Sequence, residues 1–208
     1  MAKTALDLYH KYFRDRQFER LDMFQMINDR FNIQRVLYPG SFVHITPSFI
    51  FSDVVYVDND KQANLFFSKP EVYPFIAQNK VYTQEAHVKF HFSDYRNGFD
   101  EVEDHFDLLI SQYAGFVGQF CKQYLKNGGL LLANNSHGDA GIAAIDDDYQ
   151  LIAVFHLRKG KYSISISNLD AYFEPKSSSQ ITKEYLTKLQ KGIGYKKTAS
   201  VYLFQKIQ

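Results

Sequence analysis

The fold is decided by two short runs, Arg35-Val-Leu-Tyr-Pro-Gly-Ser41 and Asp53-Val-Val-Tyr-Val-Asp58. Both are nearly continuous apolar stretches, which is typical of parallel strands that are covered on both faces of a sheet. Pro39 and Gly40 end the first run, because proline and glycine favour turns. Three later runs predict further strands, at Val88–Phe92, Phe106–Ser111 and Leu130–Ala133.

The segments between these strands favour helices. Residues 4–31 carry apolar side chains at three- and four-residue spacings, which predicts two helices with a break near Asp15–Gln17. Residues 60–67 and 70–79 can form helical turns, and Gly115–Lys126 is predicted to be a helix that stops at Asn127-Gly128-Gly129. This alternation indicates an α/β fold, Rossmann-like and doubly wound, with a mostly parallel sheet.

The last third of the chain has a different pattern. Residues 151–157 and 162–167 flank a polar turn and predict a β-hairpin, followed by a helix over 182–191 and a last strand over 200–205. Ser177–Ser179 is expected to be a short loop. We therefore expect one domain over residues 1–208, with a helical extension (1–31), a cofactor-binding core (32–145) and an antiparallel C-terminal edge (146–208).

Composition narrows the class of protein. The net charge of +1 divides unevenly, with −6 over residues 1–150 and +7 over residues 151–208. A solvated lysine-rich surface explains this, and a nucleic-acid partner is possible but not indicated. The single cysteine, Cys121, excludes a disulfide within the chain. With no apolar signal segment and no run long enough to span a membrane, we expect a soluble, cytoplasmic protein.

Candidate binding residues follow the predicted strands, because ligands of open parallel sheets bind beyond the carboxyl ends of the strands. Asp58 suits a ribose diol, since a carboxylate accepts from both hydroxyls. Gly40 lets a ligand approach the backbone, and Asp94 is placed to accept from an exocyclic amine. The expected cofactor-binding set is Tyr38, Gly40, Ser41, Asp58, Asn59, Asp94, Tyr95, Ser111 and Gln112.

Four of these stretches resemble successive motifs of class I S-adenosylmethionine-dependent methyltransferases. They are Val36-Leu-Tyr-Pro-Gly-Ser41, Val55-Tyr-Val-Asp58, Phe92-Ser-Asp94 and Phe106-Asp-Leu-Leu-Ile-Ser-Gln-Tyr113. Leu125-Lys-Asn-Gly-Gly-Leu also resembles the family's approach to its fifth strand. The resemblance spans residues 30–135 and implies S-adenosylmethionine as the small-molecule cofactor, with methyl transfer to an acceptor that the sequence does not identify.

The first loop departs from this family. Its usual pattern, an acidic residue followed by three alternating glycines, aligns with Tyr38, Gly40, Phe42 and His44, so that only one glycine is retained. Either Phe42 and His44 crowd the methionine part of the cofactor, or the loop follows another path. A non-catalytic, methyltransferase-like binding module is therefore the alternative function. A nicotinamide oxidoreductase would require Gly-x-Gly-x-x-Gly, which the loop lacks.

The catalytic residue is the least determined feature. His137, in Asn134-Asn-Ser-His-Gly-Asp139, is the best candidate for a general base, because the usual pKa of histidine suits proton removal near neutral pH. A helix cap is the alternative role of this cluster. No metal site is expected, because His87 and His91 have helical spacing in a segment that is predicted to be a strand.

Overall fold

The computed structural model describes residues 4–176 and 181–208, and the predicted Ser177–Ser179 loop lies outside these residues. The chain divides into two compact units, Met1–Asp100 and Glu101–Gln208. The prediction of a single domain stays a prediction.

The first unit contains three parallel strands. They are β1 (Arg35–Pro39), β2 (Asp53–Asp58) and β3 (His87–Phe92), in the order β3-β2-β1. Val36 pairs with Val54 and Val54 pairs with Val88. Because β1 and β2 are buried along most of their length, their apolar runs have the environment that the sequence predicts.

The predicted break in the N-terminal helices is confirmed. The chain forms α1 (Leu6–Tyr9), continues as a π-helical turn over His10–Arg14, and resumes as α2 (Leu21–Asn28). The amide of Asp15 donates to the carbonyl of His10, five residues earlier, which is the bonding pattern of a π-helix. The apolar face of α2 is buried through Met23, Phe24 and Ile27.

The first unit also contains further α-helices. They are α3 (Pro47–Ile50), α4 (Lys61–Phe67) and α5 (Val72–Asn79). Asp60 caps α4, since its side chain accepts from the amides of Gln62 and Ala63. The connection between β1 and β2 contains α3, whose four residues are all buried.

The second unit contains five strands within the part of the chain that the structure describes. They are β4 (Phe106–Ser111), β5 (Leu125–Ala133), β6 (Tyr149–Arg158), β7 (Lys161–Ser165) and β8 (Val201–Lys206), in the order β4-β5-β8-β6-β7. Only β4 and β5 are parallel, and the other pairs are antiparallel. The predicted hairpin and C-terminal antiparallel edge are confirmed.

The predicted helix over Gly115–Lys126 was wrong. The segment forms only α6 (Val117–Phe120) and a 3-10 turn before β5 begins at Leu125. Gly115 has a φ of 98°, outside the helical region, and Leu125 pairs with Phe106 of β4. Strand pairing therefore overrides the local helical pattern. The unit also contains α7 (Asp139–Ala143) and α8 (Lys183–Leu189).

Parallel strands joined by helical connections, followed by an antiparallel edge, form a Rossmann-like α/β fold. The predicted fold class is confirmed. In the first unit, the carboxyl ends of β1, β2 and β3 lie at one edge of the sheet. The candidate cofactor-binding residues that follow these strands lie at this edge.

Candidate functional site

The loop that follows β1 is tied to the end of β2. The backbone N–H of Gly40 donates to the carbonyl of Val57 at 2.7 Å. Gly40 has a φ of 64° and Phe42 has a φ of 49°. Glycine adopts this left-handed conformation without steric cost, whereas a residue with a Cβ pays of the order of 1–2 kcal/mol. Phe42 therefore adopts a strained backbone conformation, which the glycine that aligns with it in the methyltransferase pattern would adopt without strain.

Asp58 is the acceptor that holds this loop. Its Oδ2 accepts from the backbone N–H of Phe42 at 2.7 Å, and its Oδ1 accepts from the backbone N–H of Asp60 at 2.8 Å. The residue is only 8% exposed. A carboxylate has about four lone-pair sites, so that one acceptor position is left on each oxygen. Two backbone amides thus hold the carboxylate in place.

His44 points into the N-terminal helices. Its ring is completely buried, stacks on Phe13 at 4.3 Å between centroids and is bonded through both nitrogens. Nδ1 lies 3.0 Å from the hydroxyl of Tyr38, and Nε2 lies 3.1 Å from the carbonyl oxygen of Glu19. Burial, with the nearby Arg20 charge, holds the pKa of His44 well below its usual range. A neutral His44 is consequently a packing residue between the loop and the helices.

A buried polar network that the sequence did not reveal surrounds the same loop. The hydroxyl of Tyr9 lies 2.8 Å from Thr46 Oγ1 and donates to Glu19 Oε1 at 2.5 Å. Burial raises the pKa of Tyr9. The hydroxyl of Tyr56, from β2, lies 2.7 Å from Ser48 Oγ. Since buried polar groups require partners, these bonds fix the loop relative to the helices and the sheet.

Asp94 and Tyr95 follow β3. Asp94 begins a 3-10 turn over Tyr95–Asn97 and accepts from the backbone N–H of Arg96. The Arg96 guanidinium also bonds to both carboxylate oxygens, at 2.5–3.0 Å. These bonds from the Arg96 side chain hold the pKa of Asp94 below its usual range. An exocyclic amine that binds Asp94 would have to share the carboxylate with Arg96 or displace Arg96 from it. Tyr95 is half-buried, and Asn59, after β2, is exposed.

In the second unit, Ser111 at the end of β4 contacts a buried carboxylate. Its Oγ donates to Asp139 Oδ2 at 2.5 Å, and the N–H of Gly118 donates to the same oxygen at 2.9 Å. Asp139 is 1% exposed, and its Oδ1 has no partner among the described residues. Burial raises the pKa of Asp139 to about 6, against the opposing effect of these hydrogen bonds. Sequence reasoning missed this role, because Asp139 appeared only as the end of the His137 cluster.

Gln112 is also buried next to the end of β4. Its Oε1 accepts from Asn134 Nδ2 at 3.4 Å, and Asn134 in turn accepts from the N–H and hydroxyl of Ser136. The polar residues after β5 therefore support one another. His137 follows them as an exposed side chain on the loop that leads to α7. Its role as a general base stays a prediction.

Metal clusters and membrane-spanning helices are both absent from the described ranges 4–176 and 181–208. No group of three or more histidine, cysteine, aspartate or glutamate residues there is arranged to hold a metal ion. Within the same ranges, no helix is both long and apolar enough to cross a membrane.

Compared by sequence, the chain matches no protein-family model and no curated protein. Compared by structure, it is similar to a methyltransferase from Geobacter sulfurreducens, with a TM-score of 0.53 and 13% identity over 100% of this chain and 90% of that one. A Staphylococcus aureus protein, provisionally assigned as a caffeoyl-CoA O-methyltransferase, covers 79% of this chain and 92% of its own at a TM-score of 0.49 and 15% identity.

A third structure, the YcgJ protein from Bacillus subtilis, has a TM-score of 0.42 and 17% identity over 54% of this chain. The present chain spans 48% of the length of that protein. At these identities the similarities establish the fold and nothing finer. The full-length match shows that the chain shares its fold with the Geobacter sulfurreducens protein.

Proposed function

We propose that the protein is an S-adenosylmethionine-dependent methyltransferase. The observation that carries this proposal is the position of Asp58, a buried and ordered carboxylate at the end of β2 that keeps one free acceptor site on each oxygen. A fold similar to that of the Geobacter sulfurreducens methyltransferase over the whole chain supports it. The acceptor is not identified by these features.

The first unit offers residues that fit such a cofactor. Asp58 would accept from the ribose hydroxyls, and Gly40 and Ser41 would lie against the cofactor, because Gly40 has no side chain to block the approach. Tyr38 would stabilise the loop through the hydrogen bond between its hydroxyl and His44. Asp94 would accept from the adenine amine only if Arg96 shared or released the carboxylate of Asp94. Asn59 and Tyr95 complete the proposed set of the first unit, and the roles of Ser111 and Gln112, in the second unit, stay predictions from the sequence.

When bound, the cofactor supplies an electrophilic methyl group on its sulfonium. The contribution of the chain is then to hold ribose and loop in a fixed geometry, since alignment within near-attack distance accounts for much of such a rate acceleration. Asp58 suits this role because two backbone amides hold its carboxylate in place. His137 would remove a proton from an acceptor that needs it.

One observation favours the alternative, a non-catalytic binding module with the same fold. The loop after β1 is already closed by its own contacts, through the bond from Phe42 to Asp58 and the buried ring of His44. A loop that is fixed by its own contacts needs no cofactor to hold its conformation, which suits a protein that binds none.

Calorimetric titration of the full chain with S-adenosylmethionine tests the proposal against this alternative. We expect saturable binding with one site per chain, and weaker binding by Asp58→Ala. The matched control is Asp53→Ala at the opposite end of β2, where the side chain pairs with Arg35. Absence of heat for the folded wild-type protein would favour the binding module.

A further inference from the structure

An aromatic contact joins the π-helical turn to the loop that Asp58 holds. The ring of Tyr12, from the π-helical turn, meets the ring of Phe42 edge-on at 5.4 Å between centroids. Both side chains are half-buried. Since the backbone N–H of Phe42 donates to Asp58, Tyr12 is one contact away from the residue that carries the proposed function. The ring pair is therefore linked through Phe42 to the carboxylate that carries the proposed function.

Two cations converge on this aromatic pair. Lys11 Nζ lies 5.0 Å from the centre of the Tyr12 ring, and the guanidinium carbon of Arg16 lies 5.3 Å from it. Both residues are exposed. Neither forms an ion pair within residues 4–176 and 181–208. Asp15, also exposed, pairs with neither of them in those ranges. The two positive charges are thus available to a ligand.

The two neighbouring rings of the π-helical turn contact different residues of the loop. Tyr12 contacts Phe42, while the next residue, Phe13, stacks on His44. The turn is closed by bonds over five residues, from Asp15 to His10 and from Phe18 to Phe13. Such turns are rare and occur frequently at functional sites. Phe13 holds the helix on the loop, which leaves Tyr12 and its two cations at the surface.

We propose that Lys11, Tyr12, Arg16 and Phe42 form the acceptor-binding surface, and that its ligand is a small aromatic molecule carrying a carboxylate or phosphate group. This inference rests on the proposed function. The rings match the flat apolar body of such an acceptor, and the cations match its anionic group. A neutral acceptor would leave the two charges without a role, and an aliphatic anion would leave the rings without one.

The test uses the full chain and named probes. Phenyl phosphate, benzoate and neutral benzyl alcohol are titrated by two-dimensional amide NMR into the wild type, Lys11→Gln/Arg16→Gln and Tyr12→Leu. The control is Lys61→Gln/Arg30→Gln, which removes one lysine and one arginine at other exposed positions of the same unit. Thermal denaturation of each variant establishes that it folds.

We expect phenyl phosphate or benzoate to shift the amides around Tyr12 and Phe42, and to bind at least about fivefold more tightly than benzyl alcohol. The choice between the two anions identifies the anionic group. Lys11→Gln/Arg16→Gln should weaken this binding about fivefold, whereas the control should change it less than about twofold. Added salt should weaken binding by the wild type, because the charges are exposed.

Shifts confined to other regions, or equal affinities for wild type and Lys11→Gln/Arg16→Gln, would overturn the inference. A titration with S-adenosylmethionine separates it from the proposed function. If the cofactor binds and the aromatic anions do not, the acceptor surface is wrong and methyl transfer stands. If the anions bind at Tyr12 and the cofactor does not, the surface stands as a binding site and the proposal of methyl transfer fails.

Discussion

The carboxylate of Asp58 accepts a 2.7 Å hydrogen bond from the backbone N–H of Phe42, 16 residues earlier in the chain. This hydrogen bond thus joins Asp58, which matches the sequence motif of class I methyltransferases, to Phe42, which departs from the glycine pattern of that family. The retained acid supports the altered loop. Its two roles, in loop structure and in ribose binding, predict separable effects of substitution.

Replacing Asp58 should affect both stability and cofactor binding. Asp58→Ala removes the acceptor of the Phe42 and Asp60 amides, and we expect a loss of about 1–3 kcal/mol in the free energy of unfolding, as for other buried groups left without partners. Urea denaturation measures this loss. The affinity for S-adenosylmethionine should fall by about 1.5–3 kcal/mol. Asp58→Asn, which keeps one acceptor oxygen, should recover part of the stability but not the affinity. Full affinity in a folded Asp58→Ala protein would remove Asp58 from the binding site.

Substitutions at Gly40 should depend on backbone conformation. Gly40 has a φ of 64°, which valine adopts only at a cost of the order of 1–2 kcal/mol, whereas asparagine tolerates it. We expect Gly40→Val to lower the thermal midpoint and to abolish cofactor binding, and Gly40→Asn to retain most of the stability. Differential scanning calorimetry of the pair, followed by cofactor titration, checks this. Equal midpoints for the two variants would show that backbone strain is not what the glycine relieves.

Phe42→Gly isolates the cost of the altered loop. Glycine removes the strain of a φ of 49° and keeps the amide that donates to Asp58, but it loses the ring contact with Tyr12. Since these effects oppose each other, we expect the free energy of unfolding to change by less than about 1 kcal/mol, and cofactor binding to be retained. A large loss of stability would instead make the Tyr12–Phe42 contact the main constraint on the loop.

His44 should make stability fall in mild acid. Its folded-state pKa is lowered by burial, so the unfolded chain takes up a proton below about pH 6.5 while the folded chain does not. This contribution to stability is complete above the unfolded pKa and is lost as the pH falls towards the folded pKa. We expect the wild type to lose up to about 1.4 kcal/mol per pH unit below pH 6.5 relative to His44→Gln. Urea denaturation from pH 7.5 to 5 measures the difference, with the exposed His137→Gln as control. Parallel curves for wild type and His44→Gln would show that His44 titrates normally.

Asp139 should have the opposite effect on the pH dependence of stability, lowering the free energy of unfolding as the pH rises. Its pKa is raised to about 6 by burial, so between its unfolded value near 3.9 and 6 the folded chain holds a proton that the unfolded chain has released. The stability of the wild type relative to Asp139→Asn should therefore fall as the pH rises through this window, by about 2–3 kcal/mol, and stay constant above it. The same denaturation series checks this. A difference that does not vary with pH would mean that the carboxylate is charged throughout.

Part of the candidate site followed from local sequence. The apolar runs of β1 and β2 and the acid that ends β2 were recognisable, because parallel strands buried on both faces leave nearly continuous apolar sequence. The predicted helix over Gly115–Lys126 failed for the converse reason. Its residues satisfy a helical pattern locally, but Leu125 is required to pair with Phe106 in the sheet, a contact that no window of sequence contains.

The sequence by itself determined that the chain forms an α/β fold, that Gly40 follows one predicted strand and that Asp58 ends the next, since burial patterns are encoded within short segments. Only the tertiary structure decided that Asp58 accepts a hydrogen bond from the amide of Phe42 and that His44 packs on Phe13. The same is true of the hydrogen bond that the hydroxyl of Ser111 donates to Asp139. These contacts join residues between 16 and 31 positions apart. A buried polar group takes whichever partner the packed chain brings within reach, and composition and spacing do not specify that partner.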